Sequence, residues 1–391
     1  MLNTKDIFTN DPIRVMVVDD SSIIRNFLVR ELTADPEITV ITTAANGSLA
    51  LNYVSKYDVE ILILDIEMPQ MDGLTALPKL LQISPNIKII MVSSLTHKNA
   101  PVAIKALSLG ASDYIEKPSA ITSSNNLDYF NADLINKVKS LAYSSRINKE
   151  YQKKTSTHHK DVHKTAPVVH SHVGPSSHQE KHKHHLNFVP SAIAIACSTG
   201  GPQALQKFFS NLKLLNADLG VPIFITQHMP AVFTSYLAEH IKEASGNLLA
   251  KEAQDGDIVN SRGIYIAPGD FHMLINKNGN EKTITLTKDE PENYCRPSAD
   301  PMLRSLVKIY KDRLLTIVFS GMGVDGLKGS QKVVEAGGAV IAQDEQTSVV
   351  WGMPGAVTKA GLTTAVLPID QIASYVSLSM ENRNEIRNEK R

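Results

Sequence analysis

The chain has 391 residues, enough for two or three domains. Hydrophobic residues make up 42% and charged residues 20%, the composition of an ordinary globular protein rather than a disordered or fibrous one. Lys+Arg and Asp+Glu number 40 each, which excludes a global field drawing the chain to nucleic acid or a membrane surface.

Taken in order, residues 1–10 are polar and read as neither a signal peptide nor an anchor. No later apolar run approaches about 18 residues, so membrane insertion is not expected. Residues 12–145 alternate strands and helices. Strands are expected at 13–18, 38–44, 61–64, 87–92 and 113–115, with a last helix near 132–144. From 146 to 190 apolar residues scatter and most of the chain's 13 histidines gather, ending in His182-Lys183-His184-His185. Such a stretch cannot bury a core and reads as a flexible linker; the histidine spacing matches no defined metal site. Residues 191–381 alternate again. Strands are expected at 193–197, 222–226, 263–267, 273–275, 283–287, 314–319, 339–342 and 363–366, with an antiparallel excursion near 263–287. Helices are expected at 204–212, 233–244, 299–309, 326–335 and 370–380, and the polar end from 381 is expected to fray. The fold class is α/β: two doubly wound parallel-sheet domains joined by a flexible linker. The only cysteines, Cys197 and Cys295, make no disulfide framework and fit a reducing cytoplasm.

In an open parallel sheet, chemistry gathers at the carboxyl ends of the strands. Asp19 and Asp20 close the first strand, Asp65 the third, Ser93 and Ser94 the fourth, and Glu116-Lys117-Pro118 follow the fifth. Converging carboxylates repel unless a hard cation joins them, and Mg²⁺ suits oxygen ligands. Lys117 and the Ser93 hydroxyl then complement a phosphoryl group. On Asp19-Asp20, Leu64-Asp65-Ile66-Glu67-Met68-Pro69 with Asp72-Gly73, Ser93 and Lys117-Pro118, the segment resembles the receiver domains of two-component response regulators. The resemblance implies a flavodoxin-like fold, Asp65 as acceptor of a phosphoryl group from a chemotaxis histidine kinase, and Mg²⁺ held by Asp19, Asp20, Asp65 and the Glu67 backbone carbonyl. Ser93, Tyr114 and Lys117 fall at the family's switch positions.

The second domain opens with a buried apolar strand running into Ser198-Thr199-Gly200-Gly201-Pro202. Glycines permit a tight turn, Pro202 suits a first helical turn, and the helix amides can stabilise an oxyanion beside Ser198. An ordinary strand-to-helix turn or a phosphate loop reads the same way. His228 at the end of the 222–226 strand and Asp325 after the 314–319 strand supply a base and its orienter. A dinucleotide fingerprint lacks its leading glycine here, and a G-x-S-x-G elbow lacks its first Gly and its Asp-before-His order. Cys197 alternates to the opposite face from Ser198 and is expected to be a packed thiol.

This block resembles the catalytic domain of chemotaxis protein-glutamate methylesterases. The resemblance rests on Ser198-Thr199-Gly200-Gly201, His228-Met229-Pro230, Tyr265-Ile266-Ala267-Pro268-Gly269-Asp270, Arg296-Pro297-Ser298, Gly321-Met322-Gly323 with Asp325-Gly326, and Trp351-Gly352-Met353-Pro354-Gly355. It implies a Rossmann-like fold with a Ser198–His228–Asp325 triad, an oxyanion donor at the Met322 amide, a supporting hydroxyl on Thr199 and no cofactor in the catalytic domain. Ala196-Cys197 and the long His-rich linker depart from the family pattern. Arg296 reads either as a cation contacting an acidic receptor or as a structural arginine. The expected function is phosphorylation-activated demethylation of glutamate methyl esters, and deamidation of glutamines, on methyl-accepting chemoreceptors in the cytoplasm. A receptor-binding adaptor without turnover is the alternative, and a small-molecule esterase a weaker third.

Overall fold

The computed structural model describes residues 11–93, 100–117, 124–158, 189–246 and 249–388. Residues 1–10, Ser94, Pro118 and the histidine run at 182–185 lie outside the described residues. None of the described helices is long and apolar enough to cross a membrane.

The first unit alternates β1 (Ile13–Val18), α1 (Ser22–Thr33), β2 (Ile38–Ala44), α2 (Gly47–Val54), β3 (Ile61–Asp65), α3 (Gly73–Ile83), β4 (Lys88–Ser93), α4 (Ala100–Ser108), β5 (Asp113–Glu116) and α5 (Ser124–His158). Ser21, Asn46 and Asp72 start α1, α2 and α3 by accepting the amides of Ile24, Leu49 and Thr75, donors the helices themselves leave unpaired. The strands form one parallel sheet in the order β2-β1-β3-β4-β5. The direction in which strands are added reverses between β1 and β3, and Asp19 and Asp65 stand at that crevice.

Helix α5 continues well past the expected end near 144, so 146–158, read from sequence as linker, is helical. Arg146 explains the first part of the extension. Its guanidinium grips buried Glu60 at 2.8 Å through both Nε and Nη2, docking the helix on the sheet. The remainder of the linker, 159–188, lies outside the described residues.

The second unit contains β6 (Ala192–Cys197), α6 (Gly201–Leu214), β7 (Ile223–Gln227), α7 (Ala231–Ser245), β8 (Leu249–Glu252), β9 (Gly263–Ile266), β10 (His272–Asn278) and β11 (Glu281–Thr287). It continues through α8 (Ala299–Tyr310), β12 (Leu314–Val318), α9 (Leu327–Glu335), β13 (Ala339–Gln343), α10 (Met353–Lys359), β14 (Ala365–Leu367) and α11 (Ile369–Asn388). Seven strands make a parallel sheet, β14-β13-β12-β6-β7-β9-β8. The expected antiparallel excursion is narrower than 263–287. Only β10 and β11 pair as a hairpin, while β9 joins the parallel sheet beside β7 and β8. Edge strand β8 has an exposed Leu249 and Lys251 and carried no buried-strand pattern to read. Helix α11 also runs through 381–388, where fraying was expected.

Every residue of β6, β7, β12 and β13 is buried, as both faces are covered by helices. The order places the crevice of this sheet between β6 and β12. Ser198 follows one of those strands and Asp325 the other.

Candidate functional site

In the first unit, the carboxylate oxygens of Asp19, Asp20 and Asp65 lie within 4.8 Å of one another. Lys117 Nζ approaches Asp65 Oδ2 at 2.7 Å and Asp19 Oδ2 at 2.9 Å. Those two oxygens are shut from solvent, and among the described residues the Lys117 ammonium is the cation paired with them. Burial pushes the Asp65 carboxyl up, against Lys117 and the Glu67 backbone amide, to about 6. An all-oxygen, charge-dense and under-neutralised donor set is what a hard divalent cation requires. Ser93 is buried at the end of β4 and lies across the β4–β5 register from Glu116.

In the second unit, Gly200 takes φ +78° to turn the chain from β6 into α6. A Cβ on Gly201 would lie 2.0 Å from Gln227 Oε1, so any larger residue would displace that side chain. Gln227 Nε2 in turn donates to the carbonyls of Ser198 and His228, at 3.0 and 3.1 Å. The His228 amide donates to Cys197 at 3.2 Å, and the Ser198 amide to Ser320 at 3.0 Å across the crevice. A Cβ on Gly321 would come within 3.0 Å of Ser198 Cβ, so the Gly321–Met322 turn lies directly against the serine. The Gly321 amide is committed to Val350, and Met322 follows it half-buried.

His228 Nε2 lies 2.7 Å from Asp325 Oδ2. Asp325 also accepts from the Ser298 hydroxyl at 2.6 Å, the Asn293 side-chain amide at 2.8 Å, and the amides of Ala299, Asp300 and Gly326 at 2.6, 3.3 and 2.9 Å. The carboxylate thus sits on the N-termini of α8 and α9, where unpaired amides and helix dipoles favour negative charge. Burial alone would push its carboxyl up. The His228 bond and these donors win and hold it well below the usual range. Burial also opposes the His228 imidazolium, but the Asp325 and Cys295 hydrogen bonds and charges hold it above the ordinary histidine range. Its two ring nitrogens are thus both engaged, Nε2 with Asp325 and Nδ1 with Cys295 Sγ at 3.5 Å.

The sheet therefore brings Ser198, His228, Asp325 and Met322 to one crevice. Thr199 is beside them but its hydroxyl is engaged elsewhere, as described below. Arg296 does not enter this group. Its Nη1 donates to the carbonyls of Lys288 and Asp289, at 3.3 and 3.2 Å. Cys197 is buried in the core with its thiol raised by burial, as alternation along β6 requires. Sequence reasoning missed Asn293, Cys295 and Gln227. Ser298, directly ahead of a helix, offered an N-cap signal; Asn293 and Cys295 offered none, because their partners are distant in the chain.

The two units pack through α4 and β5 against α6 and α7. Tyr114 stacks on Phe233 with centroids 4.6 Å apart and planes 14° off parallel. The Thr199 hydroxyl, next to Ser198, donates to Asp113 Oδ2 at 2.6 Å, and Gln203 Nε2 to the Ala111 carbonyl at 2.5 Å. Lys137 on α5 also pairs with Asp113, at 3.4 Å. Met322, Val349 and Val350 pack against the core of the first unit.

A sheet with an acidic pocket, coupled to a second sheet presenting serine, histidine and aspartate, defines a response regulator with an enzymatic output domain. Comparison with known proteins makes this specific. Residues 193–376 match the CheB methylesterase family, and residues 15–124 match the response regulator receiver domain. The chain is 46% identical over 376 residues to the protein-glutamate methylesterase/protein-glutamine glutaminase of group 2 operon of Rhodospirillum centenum, covering 94% of each chain. It is also 46% identical to the protein-glutamate methylesterase/protein-glutamine glutaminase of Azospirillum brasilense, covering 94% of this chain and 92% of that one. Among solved structures, the catalytic domain of the Thermotoga maritima CheB methylesterase is 37% identical, covers 49% of this chain and 98% of that chain, and has a TM-score of 0.46. The chain belongs to the CheB methylesterase family, in the form that carries a receiver domain.

Proposed function

We propose that this protein hydrolyses glutamate γ-methyl esters on the cytoplasmic helices of chemoreceptors, deamidates glutamines there, and is switched on by phosphorylation of Asp65. The observation that carries the chemistry is the 2.7 Å His228–Asp325 pair beside Ser198 at the sheet crevice. His228 takes the Ser198 proton as Oγ attacks the ester carbonyl. The Met322 amide, with Thr199 in support, meets the oxyanion. Methoxide leaves as methanol with the proton from His228, and water then cleaves the acyl-enzyme by the same base. An amide passes through the same tetrahedral intermediate, and ammonia replaces methanol.

In the receiver, Asp19, Asp20, Asp65 and the Glu67 carbonyl would hold Mg²⁺, which supplies charge neutralisation for phosphoryl transfer from a kinase. Lys117 and Ser93 would meet the phosphoryl oxygens. The receiver's hold on Thr199 supports inhibition of the resting enzyme, with Tyr114 and Asp113 releasing that hold when Asp65 is modified. The division into receiver at 12–145, tether at 146–190 and catalytic domain at 191–381 belongs to the same reading, with the tether starting on the helical extension of α5. Arg296 braces the loop at Lys288–Asp289, and a receptor contact would be an additional use of it. Methanol release from methylated receptor membranes, with and without a small phosphodonor, tests the whole proposal. A Ser198→Ala protein that retains release would leave the adaptor or another nucleophile in its place.

A further inference from the structure

Four residues ahead of Ser298, the chain makes a tight reversal. Glu292 and Cys295 exchange backbone hydrogen bonds of 3.1 and 3.0 Å, and the two residues between them have φ of +55° and +62°. Two left-handed residues closed by a paired bridge make a type I′ turn. Asparagine suits its first central position, and glycine is the usual second. Here the second is Tyr294, a bulky residue in a backbone region that side chains avoid. The strain buys no packing, because Tyr294 is 94% exposed.

The turn is also anchored on the catalytic groups. Asn293 donates to Asp325 at 2.8 Å and to Asp300 at 3.0 Å, and Cys295 meets His228 at 3.5 Å. The tyrosine therefore rides on an element locked to the base and its orienter. Immediately before Asp325 in the chain, Val324 is 53% exposed, next to Gly323, whose Cβ position is open space. Two solvent-facing apolar tips are thus tied to one carboxylate. Tyr294 is left open to solvent by the described residues of the receiver, which do grip Thr199.

We propose that Tyr294 is a specificity-determining residue, an aromatic contact held out at the mouth of the site to engage the apolar face of the substrate helix that carries the modified glutamate. This inference rests on the function proposed above. A tyrosine in this role offers large area at low entropic cost, and a strained position kept at a functional site is the pattern expected of it. Val324 forms the second side of the contact. Small esters that reach Ser198 without a helix attached would not use either residue.

The test compares Tyr294→Gly and Tyr294→Phe with wild type on two substrates, methylated receptor membranes and p-nitrophenyl acetate, together with thermal melting. Tyr294→Gly relieves the backbone, so its melting temperature should hold or rise. Its kcat/KM on receptors should fall about tenfold, mainly through KM, while p-nitrophenyl acetate turnover stays unchanged. Tyr294→Phe should keep receptor activity. The loss should be equal with and without a phosphodonor. Unchanged receptor kinetics in Tyr294→Gly overturn the proposal, as does a loss confined to the unphosphorylated protein, which would assign the residue to the gate. No methanol from wild type, with small-ester hydrolysis intact, overturns the functional reading and this inference with it.

Discussion

Asp325 is buried yet stays charged, and that fact organises the site. Hydrogen bonds to an ionised group contribute roughly 1.5–3 kcal/mol each, and this carboxylate accepts them from two helix N-termini, Ser298 and Asn293 as well as His228. The consequence for pH follows by sign. A raised His228 pKa keeps the imidazole protonated to higher pH, and only the neutral ring can take the Ser198 proton. Ester kcat/KM should therefore climb with pH on the alkaline side of the ordinary histidine range. Asp325→Asn removes the charge that raises His228, so the limb should move to lower pH while kcat falls by about 10⁴-fold, read in a pH–rate profile. Ser198→Ala should lower methanol release by at least about 10⁴-fold without altering thermal melting. Loss of melting stability instead would mark Ser198 as a structural turn residue.

At the scale of the elements, the β6–α6 turn decides whether the serine is presented at all. Gly201→Ala would place a methyl 2.0 Å from Gln227 Oε1 and 2.9 Å from Cys197 Cβ. Gln227 must then leave the carbonyls of Ser198 and His228, and the strand ends lose their brace. Overpacking of this kind costs about 1–3 kcal/mol, to be seen as a lower denaturation midpoint together with reduced kcat. The turn and its glycines were legible in the sequence, as were β6, β7 and β12, whose mainly apolar runs read as buried parallel strands. The edge strand β8 was not. With only Ala250 fully covered, its strand form comes from pairing with β9 rather than from its own residues. The extension of α5 past 144 was hidden for a related reason. Polar composition there reads as solvated chain until Arg146 finds Glu60, 86 residues away.

For the whole molecule, the proposed regulation turns on the contact of the receiver with the second unit. The Tyr114–Phe233 stack contributes about 0.5–1.5 kcal/mol and the charged Asp113–Thr199 bond roughly 1.5–3 kcal/mol. The second is the larger single term and lies next to Ser198. Asp113→Ala should raise the unphosphorylated rate of methanol release roughly tenfold and narrow the gain from a phosphodonor. A fragment of 189–391 should likewise outpace the unphosphorylated full chain; equal rates would remove the inhibitory role of the receiver.

The sequence by itself determined the two α/β units, the acidic strand ends and the Ser198, His228 and Asp325 positions. These are local features, written as apolar runs, turn glycines and polar residues at strand ends, and they are recognisable without knowing what packs where. Only the tertiary structure decided that Asp325 is held charged by two helix N-termini, that Asn293 and Cys295 tie a strained turn to Asp325 and His228, that Arg296 braces a loop, and that Asp113 grips Thr199. Each of those depends on which distant groups share a low-dielectric space. Sequence spacing does not carry that information, because electrostatic and hydrogen-bond partners are chosen by the folded geometry.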